Sequence, residues 1–136
     1  MREILFRGKR TDNGEWVYGN YCIAEKLDKS GVEYFIIEIE AEGSQYYVIP
    51  ETVGQYTGLK DKNGKRIFEG DIIKHYNHNP IREYSEDVGK VFYYSKSCRF
   101  LRTSKLFPND CLEIEGCCEY EVIGNIHDNP EFLKGE

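Results

Sequence analysis

The chain has 136 residues, with 24 acidic and 18 basic side chains and a formal net charge of −6. That balance argues against broad electrostatic capture of DNA, RNA or an anionic membrane, and no apolar run approaches the roughly 20 residues of a membrane span. Hydrophobic residues make up 40% and aromatics 14%, with eleven Tyr and seven Phe against one Met, a mixture that suits a pleated, half-buried sheet better than a helix bundle.

Length alone allows one domain or two small lobes sharing a core. The opening "MREILFRGKR" lacks the continuous apolar region of a signal peptide, so a cytoplasmic protein is expected. Residues 1–49 then spell a meander of strands. Asp12-Asn13-Gly14 is a hairpin signal, because Asn and Gly tolerate positive φ. "WVYGNYCIA" comes next, with Trp16, Tyr18, Asn20, Cys22 and Ala24 on one face and Val17, Gly19, Tyr21 and Ile23 on the other. Both faces are largely apolar, which predicts a central strand. After a turn at "DKSG", "EYFIIEIE" places Phe35, Ile37 and Ile39 together, opposite Glu38 and Glu40. A short strand from Tyr46 to Ile49 completes this half.

Pro50 interrupts the strand pattern, and "PETVG" has room for one helical turn with Pro at its first position. The boundary between lobes is expected here, giving an N-terminal β lobe over 1–54 and an SH3-like β lobe over 55–136. Residues 1–54 carry 6 basic and 10 acidic side chains, and residues 55–136 carry 12 and 14, so charge does not distinguish the two.

The stretch "QYTGLKDKNGKRIFEGDIIKHY", Gln55 to Tyr76, is the most patterned in the chain. A phosphate-binding loop needs Gly-x-x-x-x-Gly-Lys-Ser/Thr between a strand and a helix. Gly58 and Gly64 have the wrong spacing, Arg66 stands where a hydroxyl is required, and the next residues, "IFEGDIIKHY", are strand-like. The stretch is structural. Asn63-Gly64 is a tight-turn dipeptide. Glu69-Gly70-Asp71 is a second turn, in which Gly70 supplies positive φ and Asp71 accepts backbone N–H groups. Gly70 is expected to determine the fold at the head of the Ile72-Ile73 strand. "DIIKHYN" is a strand and "NHNPIREYSED" a polar loop. "VGKVFYYS", "CRFLRT" and "CLEIEG" are further strands, and "YEVIGNI" closes the sheet through Gly124 and Asn125. "DNPEFL" ends the chain with a helical turn capped by Asp128 or Asn129 and opened by Pro130.

The motifs "QYTGLKDKNGKRIFEGDII" and "YEVIGNIHDNPEFL", with the opening "MREILFRGKR", resemble the YopX family of phage and prophage proteins. Residues 77–110 carry little of the resemblance. It implies a mainly β protein encoded in phages or integrated bacterial elements, and it implies no activity and no catalytic residues. The Glu69-Gly70-Asp71 turn ahead of Ile72 and Ile73 also resembles small SH3-like barrels. The expected fold is therefore mainly β: a small meander sheet packed with an SH3-like, partly open barrel and little helix.

Chemistry-bearing residues are scattered. Cys22, Cys98, Cys111, Cys117 and Cys118 are odd in number and form no Cys-x-x-Cys, so neither a disulfide framework nor a zinc ribbon is indicated. Reduced, partly buried thiols are expected. His75, His78 and His127 are not paired by any motif, and no Ser occupies a nucleophile elbow. No catalytic, cofactor-binding or metal-binding residue is assigned, and an enzyme is not expected.

The sequence instead favours a protein-binding or adaptor module in the cytoplasm of a bacterial host. Its partner would be a phage or host protein, and it would self-associate symmetrically through the strand of Phe35, Ile37 and Ile39 and the Tyr46-Tyr47 edge. A nucleic-acid-binding β-barrel is the alternative. It rests on residues 90–105, which carry Lys90, Lys96, Arg99, Arg102 and Lys105 among Phe92, Tyr93, Tyr94 and Phe100, with no acid. Within this segment Tyr93, Tyr94, Lys96, Arg99 and Arg102 form the candidate interaction surface. The segment Asp110 to Glu121 mirrors it, with Asp110, Glu113, Glu115, Glu119 and Glu121 and no base. Pairing across antiparallel strands would cancel the local field, and Arg99 and Arg102 are expected beside Glu113 or Glu115.

Overall fold

Turns and β-branched runs divide the chain into strands throughout. A computed structural model describes residues 3–39, 43–77, 85–114 and 120–134. It is mainly β, with two short 3₁₀ turns and no closed barrel among the described strands. The chain forms two units, Met1–Tyr56 and Thr57–Glu136.

The first unit is built from β1 (Phe6–Lys9), β2 (Trp16–Glu25), β3 (Val32–Ile37), β4 (Gln45–Tyr47), a 3₁₀ turn at Pro50–Thr52 and the start of β5 (Gly54–Lys60). Strands lie antiparallel in the order β4-β3-β2-β1-β5. Positive φ at Gly14 (73°) closes the first hairpin, and Lys29 (60°) lies in the turn between β2 and β3. Beyond β4, Val48 bridges to Arg10, and the Thr11 N–H donates to the Tyr47 carbonyl at 3.0 Å. The outer edge of β4 is thereby partly occupied, as an exposed edge must be to resist unwanted pairing.

The core of this unit is Val17, Ile36 and Val48, flanked by Tyr21, Tyr34, Tyr46 and Val53. β2 is central, between β1 and β3. In β3, however, the buried residue is Ile36, fully enclosed, and Ile39 is 63% exposed. Phe35 and Ile37 do share one half-buried face of β3, as expected, but Ile39 does not extend that face, which corrects the grouping at its end. β3 ends at Ile37, so Glu38 and Ile39 lie outside the strand and their polarity does not mark its faces. Glu40 lies outside the described residues.

In the second unit, β5 continues beside β6 (Arg66–Phe68). β7 (Asp71–Asn77), β8 (Ser85–Tyr94), β9 (Arg99–Arg102), β10 (Leu112–Glu113) and β11 (Tyr120–Asn125) form an open antiparallel sheet in the order β10-β9-β8-β7-β11. A 3₁₀ turn at Pro130–Leu133 comes after it. Ile67, Ile73, Val91 and Tyr120 are its buried cluster, packed by Leu59, Phe100, Ile114 and Val122.

The turn at Asn63-Gly64 has φ of 81° at Gly64, and Gly70 has φ of 90°. Glu69 is half-buried beside Gly70, and Asp71 accepts the Phe68 N–H at 2.7 Å. Register shifts between Val122 and Gly124 in β11. A Cβ at Gly124 would overlap the Asn129 side chain, whose Oδ1 accepts the Asn125 N–H at 3.3 Å. Asn129 thus occupies the N-cap position ahead of Pro130 without capping the turn through its side chain. Asn125 instead organises the preceding turn, its Oδ1 accepting the His127 and Asp128 N–H groups at 3.0 and 2.9 Å.

Candidate functional site

β8 and β9 carry the residues singled out in the sequence, and their register fixes where each side chain points. Val91 faces Arg102, Phe92 faces Leu101, Tyr93 faces Phe100 and Tyr94 faces Arg99. Alternation then puts Tyr93 and Arg102 on the face that also carries Val91, and Tyr94 and Arg99 on the other. The five-residue surface is therefore divided between two faces of one hairpin. Tyr93 is 46% exposed and makes an edge contact with Phe100 at 5.3 Å between ring centroids. Tyr94 is 38% exposed, and Lys96 is exposed in the hairpin tip.

Arg99 pairs with Glu113 at the surface. Arg102 lies opposite Leu112 where β9 pairs with β10, but its guanidinium turns to Asp87 and not to Glu113, which corrects that expectation. It is 5% exposed and runs along the core face, where its Nη1 donates to Asp87 Oδ2 at 2.8 Å. The sequence pattern places Asp87 in a polar loop, yet β8 begins at Ser85 and Asp87 pairs with His75 of β7. Flanking Glu86 and Ser85 make that segment polar, and the polar core residue within it has no apolar signature. Residues 78–84 of the expected loop, and with them His78, lie outside the described residues, as do Glu115, Cys117, Cys118 and Glu119.

Asp87 is the hub of this region. Its Oδ2 also accepts the Ser104 hydroxyl at 2.5 Å, and its Oδ1 accepts the Lys105 and Leu106 N–H groups at 2.9 and 3.2 Å. Burial alone would raise its pKa. The hydrogen bonds from Ser104, Arg102 and the Leu106 N–H, with the Arg102 charge, outweigh burial and hold Asp87 below the ordinary carboxylate value. Ser104 Oγ in turn accepts the Phe107 N–H at 3.0 Å. Nearby, His75 stacks on Tyr120 at 4.7 Å, and the Arg102 guanidinium lies 5.7 Å from the same ring.

Serine, aspartate, histidine and arginine thus come close together, but their geometry is that of a fastener. The Ser104 hydroxyl donates to a carboxylate that is already fully engaged, instead of to a free base that would activate it. What Asp87 holds is the segment 104–107. That segment displays Leu106 at 52% and Phe107 at 55% exposure. Beside it lies an open hollow of about 330 Å³ with Val88, Pro108 and Leu133 as its apolar lining and Lys90 and Lys105 as its cations. Sequence reading missed both the hub and the hollow, although the Leu106-Phe107-Pro108 run inside a polar connection was a visible signal.

Asp61, another buried carboxylate, serves the backbone in the same way. Its Oδ1 accepts the Asn63 and Lys65 N–H groups, both at 2.9 Å, and its Oδ2 accepts the Val122 N–H at 3.0 Å. Among the thiols, Cys22 is half-buried but Cys98 and Cys111 are exposed, which corrects the expectation of partly buried cysteines. Both sit in connections between strands, at the β8–β9 tip and just ahead of β10. Among the described residues no three His, Cys, Asp or Glu side chains gather as a metal site would require, and no helix is long and apolar enough to cross a membrane.

Comparison with known proteins agrees with this architecture. A family model described as YopX protein matches residues 5–134. The crystal structure of protein EF1440 from Enterococcus faecalis is similar at a TM-score of 0.55 and 27% identity, covering 98% of this chain and 100% of that one. No match was found among curated proteins.

Proposed function

The chain belongs to the YopX family, and from that premise we propose that it is a phage- or prophage-encoded protein-binding or adaptor module, acting in the bacterial cytoplasm, and not an enzyme. The observation that carries this reading is a contrast. The buried carboxylate most like a catalytic group, Asp87, has both oxygens engaged within the fold, while large apolar side chains such as Tyr93, Tyr94, Leu106 and Phe107 are 38–55% exposed. Tyr offers contact area at small entropic cost and is enriched in interfaces.

Self-association is part of the proposal. Tyr47, 51% exposed, makes an edge contact with Phe35 at 6.3 Å, and such an aromatic surface suits a twofold contact between copies. The Thr11 bond to Tyr47 occupies part of the strand edge there and favours a contact made through side chains.

The nucleic-acid alternative is weakened, because Arg102 is buried against Asp87 and Arg99 pairs with Glu113. Lys90, Lys96 and Lys105 remain for it. Affinity capture of the tagged protein from induced host cells tests both. The expected result is a protein retained by the native chain and lost from a Tyr93→Ser/Tyr94→Ser variant. An eluate of nucleic acid alone, released by salt, would transfer the reading to the alternative.

A further inference from the structure

The buried Asp87–Arg102 pair holds an exposed apolar loop on a fixed backbone. Asp87 holds Lys105 and Leu106 through their backbone N–H groups and Ser104 through its hydroxyl, and Ser104 then holds the Phe107 N–H. The side chains of Lys105, Leu106 and Phe107 take no part in these bonds and point their chemistry outwards. Leu106 and Phe107 stand 52% and 55% exposed, and Phe132 on the C-terminal turn stands 37% exposed. Apolar surface left in water forfeits roughly 25 cal/mol per Å², and adjacent exposed apolar side chains such as Leu106 and Phe107 are material for a contact.

The adjoining hollow gives the contact a shape. Val88, Pro108 and Leu133 line it, Lys90 and Lys105 bring positive charge, and no carboxylate is among the described residues of its lining. The Lys105 ammonium reaches the Lys134 carbonyl at 3.5 Å, tying the loop to the C-terminal turn. At about 330 Å³ the hollow is at the small end of ligand pockets, with room for one or two side chains and not for a large cofactor. A cationic rim on a chain whose net charge is −6 is complementary to an acidic partner.

Building on the protein-binding reading above, we infer that this hollow and the Leu106-Phe107 loop form the docking site for an acidic peptide segment carrying a Leu or Phe anchor. The anchor enters the apolar hollow, and flanking Asp or Glu side chains face Lys90 and Lys105. An apolar centre within a polar rim is the arrangement that concentrates binding energy in few residues.

The test is fluorescence anisotropy with a short labelled peptide of Asp and Glu around a central Leu-Phe pair. Two control peptides replace the anchor by Ala or the acids by Lys. The expected result is binding of the first peptide, weakened about tenfold or more by either control and by Lys105→Glu or Phe107→Ser in the protein. Both variants keep the backbone bonds to Asp87 and Ser104, and a thermal melt confirms that each is folded. Equal binding of the three peptides, or binding indifferent to both variants, would overturn the inference. Absence of binding would also overturn it, while leaving the broader reading intact if Tyr93 and Tyr94 still govern capture. A dimer in light scattering that Phe107→Ser converts to monomer would assign the site to a second copy of the chain, which again overturns an acidic peptide as the occupant.

Discussion

Aspartates do different work in the two units. In the first, Asp12 and Asp28 are exposed and bond within two residues of themselves, to Arg10 and to Ser30. In the second, Asp128 is also exposed and local, but Asp61, Asp71 and Asp87 are buried at 7%, 1% and 5% exposure, and each accepts at least one backbone N–H, as far along the chain as Val122 from Asp61. The first unit's hairpin turns at 10–15 and 26–31 satisfy backbone groups within themselves. The second unit contains irregular segments at 61–65, 68–71 and 103–107, in which N–H groups outside the strand ladders find carboxylate acceptors. A carboxylate taking two or more such groups fixes a loop as firmly as a strand ladder fixes its neighbour. The aspartates of the first unit shape their own turns, and the buried ones of the second tie separate segments together.

The largest effect is expected where that charge is removed. Asp87→Ala leaves Arg102 buried without its carboxylate and frees the 104–107 segment, for a loss of roughly 3–5 kcal/mol. Asp28→Ala, at an exposed turn, should leave the melting midpoint nearly unchanged. Acid provides a second readout. Asp87 has a depressed pKa when folded, so its stabilisation is fully present above the unfolded value of about 3.9 and is lost as pH falls through the lower folded value. Denaturation curves taken from neutral pH down to about pH 3 should therefore draw together for native protein and Asp87→Ala. A gap that persisted unchanged at acid pH would show that the carboxylate charge is not what matters.

Each unit also has a glycine pinched by a neighbouring backbone, and here the two should behave alike. A Cβ at Gly19 would collide with the Ile37 carbonyl, and one at Gly89 with the Thr103 carbonyl. Neither obstacle is a flexible side chain, so Gly19→Ala and Gly89→Ala should each cost at the upper end of the roughly 1–3 kcal/mol seen for overpacking. Amide exchange resolved by residue would place the first loss in 1–56 and the second in 57–136. Indifference to either substitution would mean that the strands separate more easily than their register implies.

Gly70→Val ranks next, at roughly 1–3 kcal/mol for a side chain forced into positive φ. Gly70 has φ of 90°, donates to the Val91 carbonyl at 2.8 Å and accepts the Ile126 N–H at 2.9 Å, so relaxing its backbone would disturb two hydrogen bonds. Gly14 in the first unit has φ of 73° with open space around a Cβ, and Gly14→Val should cost only the backbone strain. Equal melting midpoints for the two variants would remove the distinction.

These residues also mark what the sequence could disclose. Turns were legible wherever Asn-Gly or an isolated Gly required positive φ, as at Gly14, Gly64 and Gly70, because the dihedral is written in the residue type. β2 was legible as central because both of its faces are apolar. The face of β3 was not, since Phe35, Ile36 and Ile37 are equally apolar and only the position of the strand's end decides among them. Asp87 was invisible for a different reason. A buried carboxylate is stabilised by partners at Arg102, Ser104, Lys105 and Leu106, and nothing local to "YSEDVG" announces partners 15 or more residues away. The hollow beside it depends on the same distant bonds.

Arg99 and Arg102 supply the smallest and sharpest test, because they lie on one strand three residues apart and differ in nearly everything else. The Arg102–Asp87 pair has side chains each 6% exposed, whereas Arg99 and Glu113 are 52% and 64% exposed. In water the Coulomb gain of such a surface pair is offset by the entropy of holding two long side chains, and it is screened by salt. A double-mutant cycle with Arg99→Ala and Glu113→Ala should return a coupling of about 0.2–1 kcal/mol that shrinks as salt is added. The same cycle on Arg102 and Asp87 should return several times more and respond little to salt, because buried charges are poorly screened. Arg99→Ala should also leave Tyr94 and the hairpin intact, since Tyr94 and Arg99 are joined through the backbone register of β8 and β9. If the surface pair proved as strong as the buried one, the separation between locally shaped and charge-tied regions would fail within this single hairpin.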